Sequence, residues 1–216
     1  MQLSRTTLLA FVLMIFSVYA QAADLLVQFV DANAAFESSL AGSKADTETA
    51  ITKFAKLVEL EPEQPLYLAY LGSAYTLKAR DAWMPWSRLG NAEKGLDMID
   101  KALLMLRPRH DEERLRGSII STEARLVAIN TFLQVPEFLN RIQAAKELLN
   151  ETLNSPVFDA SAPEVKGRLF MQAADIARRE KHRDQAAAYL KQALPLLPSG
   201  RYQQLAERQL MEDTGQ

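Results

Sequence analysis

Nine prolines and eight glycines are nearly the only interruptions in a 216-residue chain otherwise rich in strong helix formers. Most of them fall at the ends of runs, and no run alternates apolar and polar residues as a strand would. Ala, Leu, Glu, Lys, Gln and Arg dominate, the residues that lose least on entering a helix. Glu61-Pro62, Asn154-Ser155-Pro156 and Pro198-Ser199-Gly200 each close a helical run, because proline cannot continue a helix and disfavours the helical state before it. Pro163 suits a first helical position, and Pro195 should kink or shorten the run that contains it. The spacing predicts about nine helices, over 24–40, 46–60, 65–79, 88–106, 111–133, 137–153, 163–181, 184–197 and 200–212. The expected fold class is all-α, built from antiparallel helical hairpins.

The first residues carry a different signal. Arg5 precedes an apolar stretch from Leu8 to Tyr19, and Ala20-Gln21-Ala22 follows with small residues at the two critical positions. That order is a secretory signal peptide. The apolar run is shorter than the roughly 20 residues a membrane-spanning helix needs. Cleavage after Ala22 is expected, leaving residues 23–216 as a single soluble domain without a stable membrane anchor. The short signal with its AQA end points to the periplasm of a Gram-negative bacterium, ahead of full secretion. The mature chain would carry 24 basic against 27 acidic side chains, a net charge of −3. That balance is too mild to call for nucleic acid or an anionic surface as partner. No cysteine is present, so disulfides, thiolate metal sites and thiol nucleophiles are excluded, and the core alone must stabilise the fold.

Nine short helices invite a search for repeats. Ala50, Phe54, Leu57 and Pro62, followed by Leu68, Leu71-Gly72 and Tyr75, have the spacing of a tetratricopeptide repeat. A second unit ends at Ile99, Lys101-Ala102-Leu103 and Pro108. A third matches at Phe170, Ala174, Ala186, Leu190, Ala193 and Pro198. The chain thus resembles the tetratricopeptide repeat (TPR) family over about 60% of its mature length. The resemblance implies a TPR-like α-solenoid, with Gly72 and Ala50 as points of close helix approach. It also implies a concave groove lined by Leu66, Ala69, Ser73 and Thr76 in one unit and by Arg168, Met171, Asp175 and Arg178 in the last. Some family members hold a peptide carboxylate with Lys and Asn there; this chain has Ser73 and Asp175 where Asn is expected.

Both tryptophans of the chain lie in RDAWMPWSRLG, residues 80–90. Against a regular repeat this stretch looks like an insertion of about eleven residues, an elongated turn from Arg80 to Gly90. Three roles suit it. Trp83 and Trp86 fold back as a plug over the helix pair, they form an exposed clamp on a partner, or they make a dimer contact. The plug is the first expectation, with Trp83 as the inward ring, and Asp81 with Arg88 tying the ends of the turn.

Catalytic patterns are missing from the sequence. His110 and His182 have no second ligand at i+3 or i+4, as a zinc site requires. No GxSxG, GxxxxGK[ST] or GxGxxG is present, and the Asp97/Asp100 pair reads as a solvated helix face. No cofactor or metal is expected. The function expected is a non-enzymatic periplasmic adaptor that binds another protein or peptide segment, such as an envelope transport or assembly component. The alternative is an accessory protein that holds a small molecule between the tryptophan turn and the groove.

Overall fold

The computed structural model describes the backbone of residues 5–215 and the side chains of residues 23–215. The expected signal segment and its cleavage site, residues 1–22, lie outside the fully described residues. Nine α-helices are found: α1 (Arg5–Leu40), α2 (Lys44–Leu60), α3 (Pro65–Asp81), α4 (Pro85–Leu104), α5 (Ile120–Gln134), α6 (Ile142–Leu153), α7 (Pro163–Arg179), α8 (Arg183–Ala193) and α9 (Arg201–Thr214). Among the described residues the fold is all-helical apart from one hairpin of two-residue strands, β1 (Arg114–Leu115) and β2 (Ser118–Ile119). No helix among the described residues is long and apolar enough to cross a membrane.

Each helix from α1 to α4 packs on its sequence neighbours, as do α5 with α6 and α7, α8 and α9 in turn; α3 also meets α5, and α5 meets α7. Three apolar clusters form the core. The first is aromatic. Phe54 stacks on Tyr70 at 5.0 Å between centroids, and Phe36 meets the Tyr70 ring edge-on at 5.1 Å. Such geometries add about 0.5–1.5 kcal/mol per pair beyond the area buried. The Tyr70 hydroxyl reaches α5 and donates to Glu123 Oε1 at 2.8 Å, so the aromatic cluster is tied to α5 by a buried polar contact.

Gly72 is the close-approach point that the sequence predicts. A Cβ there would stand 2.5 Å from the carbonyl oxygen of Gly95 and 2.9 Å from Ile99 Cγ1. Gly95 mirrors it, with Gly72 oxygen 2.5 Å from its own absent Cβ. The two glycines let α3 and α4 pack backbone to backbone, a contact that Cβ atoms would hold apart. Ala50 is fully buried on α2.

Three expectations about the elements need correction. The stretch 80–90 is not an elongated turn: α3 runs on to Asp81, three residues break the chain, and α4 starts at Pro85. The extra residues therefore lengthen the hairpin instead of looping out, because Pro85 at the first helical position starts a helix readily. The helix expected over 111–133 starts only at Ile120. Before it come a 3-10 turn at Pro108–Asp111 and the β1–β2 hairpin. Arg116 and Gly117 form the hairpin's turn with φ of +51° and +82°, the paired positive values of a two-residue turn that favours glycine. Arg116 is held there by an ion pair to Glu123 at 3.1 Å and by stacking 4.9 Å from the Phe29 ring. Finally, α6 begins at Ile142 after a left-handed Asn140. Pro195 shortens α8, which ends at Ala193.

Candidate functional site

The break between α3 and α4 is a corner that projects from the helix pair. Ala82 and Met84 are extended, and Met84 caps α4 without a side-chain hydrogen bond. The positive end of the α4 dipole is therefore not neutralised by any side-chain cap. Both tryptophans are in solvent: Trp83 is 87% exposed and Trp86 is 72% exposed. The plug expectation, with Trp83 as the inward ring, is overturned. The physical reason lies in the helix start. Pro85 puts Trp86 on the first turn of α4, and the Gly72–Gly95 contact already closes the interface between α3 and α4, leaving no gap for a ring to fill.

The corner carries more apolar surface than the two indoles. Met84 and Leu89 are exposed beside them, and Phe138, from the short 3-10 turn at Glu137–Leu139, is 69% exposed. Five of the eleven exposed large apolar side chains among the described residues gather here, which marks the corner against a surface where such groups are normally scattered. A cleft of about 550 Å³ runs between α4 and the Pro136–Leu139 segment, lined by Ala79, Pro85, Leu89, Ala92, Phe138 and Leu139 with Arg80 and Arg88 at its rim. A second cleft of about 370 Å³ opens on the other side, between α2 and the corner, and Trp83 and Met84 form one wall of it.

The charges at the corner do not tie its ends as expected. Asp81 pairs with its neighbour Arg80, whose Nε and Nη2 donate to the carboxylate at 2.8 and 2.9 Å. Thr47 donates to the same carboxylate at 3.0 Å. Together, and against a smaller effect of burial, these bonds hold Asp81 below the usual carboxylate range. Arg88 instead donates from Nε to the Ala82 carbonyl at 2.7 Å and stitches the break together.

Of the groove positions expected on α3, Leu66, Ala69 and Ser73 are buried. They face α2 and α5 and no ligand reaches them: the Ser73 hydroxyl bonds that of Thr131 on α5 at 2.8 Å. Only Thr76 keeps partial exposure, and its hydroxyl is spent on the Ser73 carbonyl at 2.8 Å. The close packing of α3 on α5 takes up the face that the resemblance assigns to a groove. On α7 the outcome differs. Arg168, Met171 and Asp175 line a polar cavity of about 270 Å³, shared with Asn130 and Gln134 of α5 and Tyr202 and Gln209 of α9. Met171 is itself buried. Arg178 stands a turn farther on, 3.8 Å from Asp213. This cavity does not reach the tryptophan break, and neither cleft at the break reaches these α7 positions.

The Arg168 end of that cavity is a joint. Arg168 lies 3.5 Å from Glu37 on α1 and stacks 4.3 Å from the Tyr202 ring. The Tyr202 hydroxyl donates to Glu37 at 2.7 Å. Arg201 donates to the Leu40 carbonyl at 2.9 Å, at the open C-terminal end of α1, where a cation is favoured. Burial opposes the Arg168 charge, but Tyr202 and Glu37 outweigh it, and its pKa is raised. The last helix is thereby pinned to the first by groups that are mutually satisfied.

His110 is buried at the 3-10 turn, and its Nδ1 accepts from the Arg107 backbone N–H at 2.9 Å. Burial lowers its pKa. His182 is exposed at the start of α8. Among the described residues no group of three or more His, Asp or Glu side chains is placed to hold a metal.

Sequence reasoning missed Phe138 and Lys44 as parts of the corner. Pro136-Glu137-Phe138, an aromatic beside a proline in a break, was the available signal. No family model, curated protein or solved structure matches this chain.

Proposed function

We propose that this protein is a non-enzymatic, TPR-like solenoid adaptor of the bacterial periplasm that docks an apolar segment of another protein at the Trp83–Trp86 corner. The exposure of both indoles beside two clefts carries the reading. Tryptophan supplies large contact area at small entropy cost and is enriched where binding energy concentrates. A chain with no disulfide gains nothing in stability from two rings left in water, so their placement points to a partner that covers them. The solenoid part draws support from α3, α5 and α7 packing in sequence on one another and from the Gly72–Gly95 approach at a repeat-type position. Export rests on Arg5, the apolar run and Ala20-Gln21-Ala22; the intact mass of the cell-derived chain checks it, and a mass that retains Met1 contradicts it.

A photo-crosslinking side chain at Phe138 tests the docking surface in cells. One discrete protein adduct is expected, and it should disappear in a Trp83→Ala/Trp86→Ala background that melts at the unaltered temperature. The same adduct with or without the indoles would remove the corner from the function.

A further inference from the structure

We propose that the tryptophan corner also takes the acidic tip of a second copy of this chain, so that molecules associate head to tail. The inference rests on reading the corner as a docking surface, and it starts from a count of charges. In the larger cleft only Arg80 and Arg88 are charged; Asp81 neutralises Arg80, while Arg88 has no carboxylate within ion-pair distance among the described residues. In the smaller cleft Lys78 pairs with Glu48 at 2.8 Å and Asp81 with Arg80, which leaves Lys44 alone. Each cleft flanking Trp83 and Met84 thus keeps one cation to spare. The α4 N-terminus, without a side-chain cap, adds to that sign.

The complementary surface is an exposed apolar side chain set among unpaired carboxylates. The chain itself has one, at the other end of α2: Glu59-Leu60-Glu61-Pro62-Glu63. Leu60 is 48% exposed, and none of the three glutamates takes part in an ion pair among the described residues. Lys56, a turn before Leu60, offsets one of the three charges and leaves two, and the other exposed apolar groups have less acid about them. Leu104 stands between Lys101 and Arg107, Met211 has Arg208 a turn before it, and Val27 and Val30 lie beside Asp31, which Lys53 neutralises at 2.6 Å.

One molecule cannot join the two surfaces to itself. They sit at opposite ends of the 17-residue α2, about 24 Å apart at 1.5 Å per residue. Each contact therefore joins two copies, and where copies add head to tail an open chain leaves one corner free at its end for a foreign segment.

Sedimentation of the purified chain, with charge reversals at both ends, tests this. The weight-average mass should rise with concentration and fall back with added salt. Lys44→Glu/Arg88→Glu and Glu59→Lys/Glu63→Lys should each weaken association roughly tenfold or more, since like charges then face each other. A mixture of the two variants, each with unchanged helicity, should recover it, because the acidic corner of one then meets the basic tip of the other. A chain that stays monomeric at every concentration, or association indifferent to the reversals and to their mixture, overturns the proposal. If the chain is monomeric while the Phe138 crosslinker still yields its indole-dependent adduct, the docking reading survives and self-association alone falls.

Discussion

The middle and the turn of the α3–α4 hairpin are built on opposite plans. In its middle, Gly72 and Gly95 bring the backbones so close that neither position has room for a single added carbon. At the turn, a few helical turns away, Trp83, Met84, Trp86 and Leu89 stand in water. The pair closes where its side chains are smallest, and its two tryptophans are left out of the core. A helix pair held shut by glycines does not need its corner sealed, so the corner is available for contact with another molecule.

The comparison breaks most sharply at Gly72. Gly72→Leu forces bulk against the Gly95 backbone and the Ile99 side chain, and should cost about 3 kcal/mol, the upper part of the range for overpacking. Gly72→Ala should cost less but still lower the melting temperature, since the atom it meets is backbone. A thermal midpoint unchanged in both variants would mean that α3 and α4 are not in this contact. The second test lies deeper in the sealed region. Tyr70→Phe removes the donor to buried Glu123 and leaves that oxygen with Arg116 alone; the cost should be about 1–2 kcal/mol by denaturant unfolding. No loss there would remove the polar tie between the aromatic cluster and α5.

A smaller effect depends on pH. His110 is held neutral by burial, with its pKa below the ordinary 6.5. A base with a lowered folded pKa binds more protons when unfolded. Its contribution to stability is therefore complete above 6.5 and declines as pH falls through 6.5 toward the folded pKa, by at most about 1.4 kcal/mol per pH unit. His110→Gln should flatten that part of the stability profile, and an unchanged slope would assign it to other groups. The smallest expected effect on stability is at the turn. Trp83→Ala and Trp86→Ala should each stay within about 0.5 kcal/mol of the parent, the usual range for exposed positions. A loss of several kcal/mol from either would restore the plug.

Helix positions were legible from the sequence because prolines mark the breaks and helix formers fill the runs. Gly72 was legible because a small residue among large ones on a buried helix has a packing reason. The Arg116-Gly117 turn was written in the sequence too, but the helical pattern on both sides of it hid the two-residue signal. The break falls within the expected 80–90 stretch but is shorter, and the plug expected there does not form, since burial of an aromatic depends on whether a gap exists for it, and that gap is decided by glycines nine or more residues away. Leu66, Ala69 and Ser73 were assigned to a groove because the helix period gives the face of a helix and not what packs against it. Phe138 and Lys44 belong to distant segments, and only the fold brings them to the tryptophans.

The chain's only two tryptophans are also its own reporters. Their fluorescence in the native protein, at low concentration and with a neutral quencher added, tests the account most directly. The account predicts emission close to that of indole in water and quenching nearly as efficient as in the unfolded chain, with a blue shift and shielding only when a partner or a second copy binds. Native emission already blue-shifted and shielded in the isolated monomer would mean that the rings are packed against the helices, and the corner would then be structural.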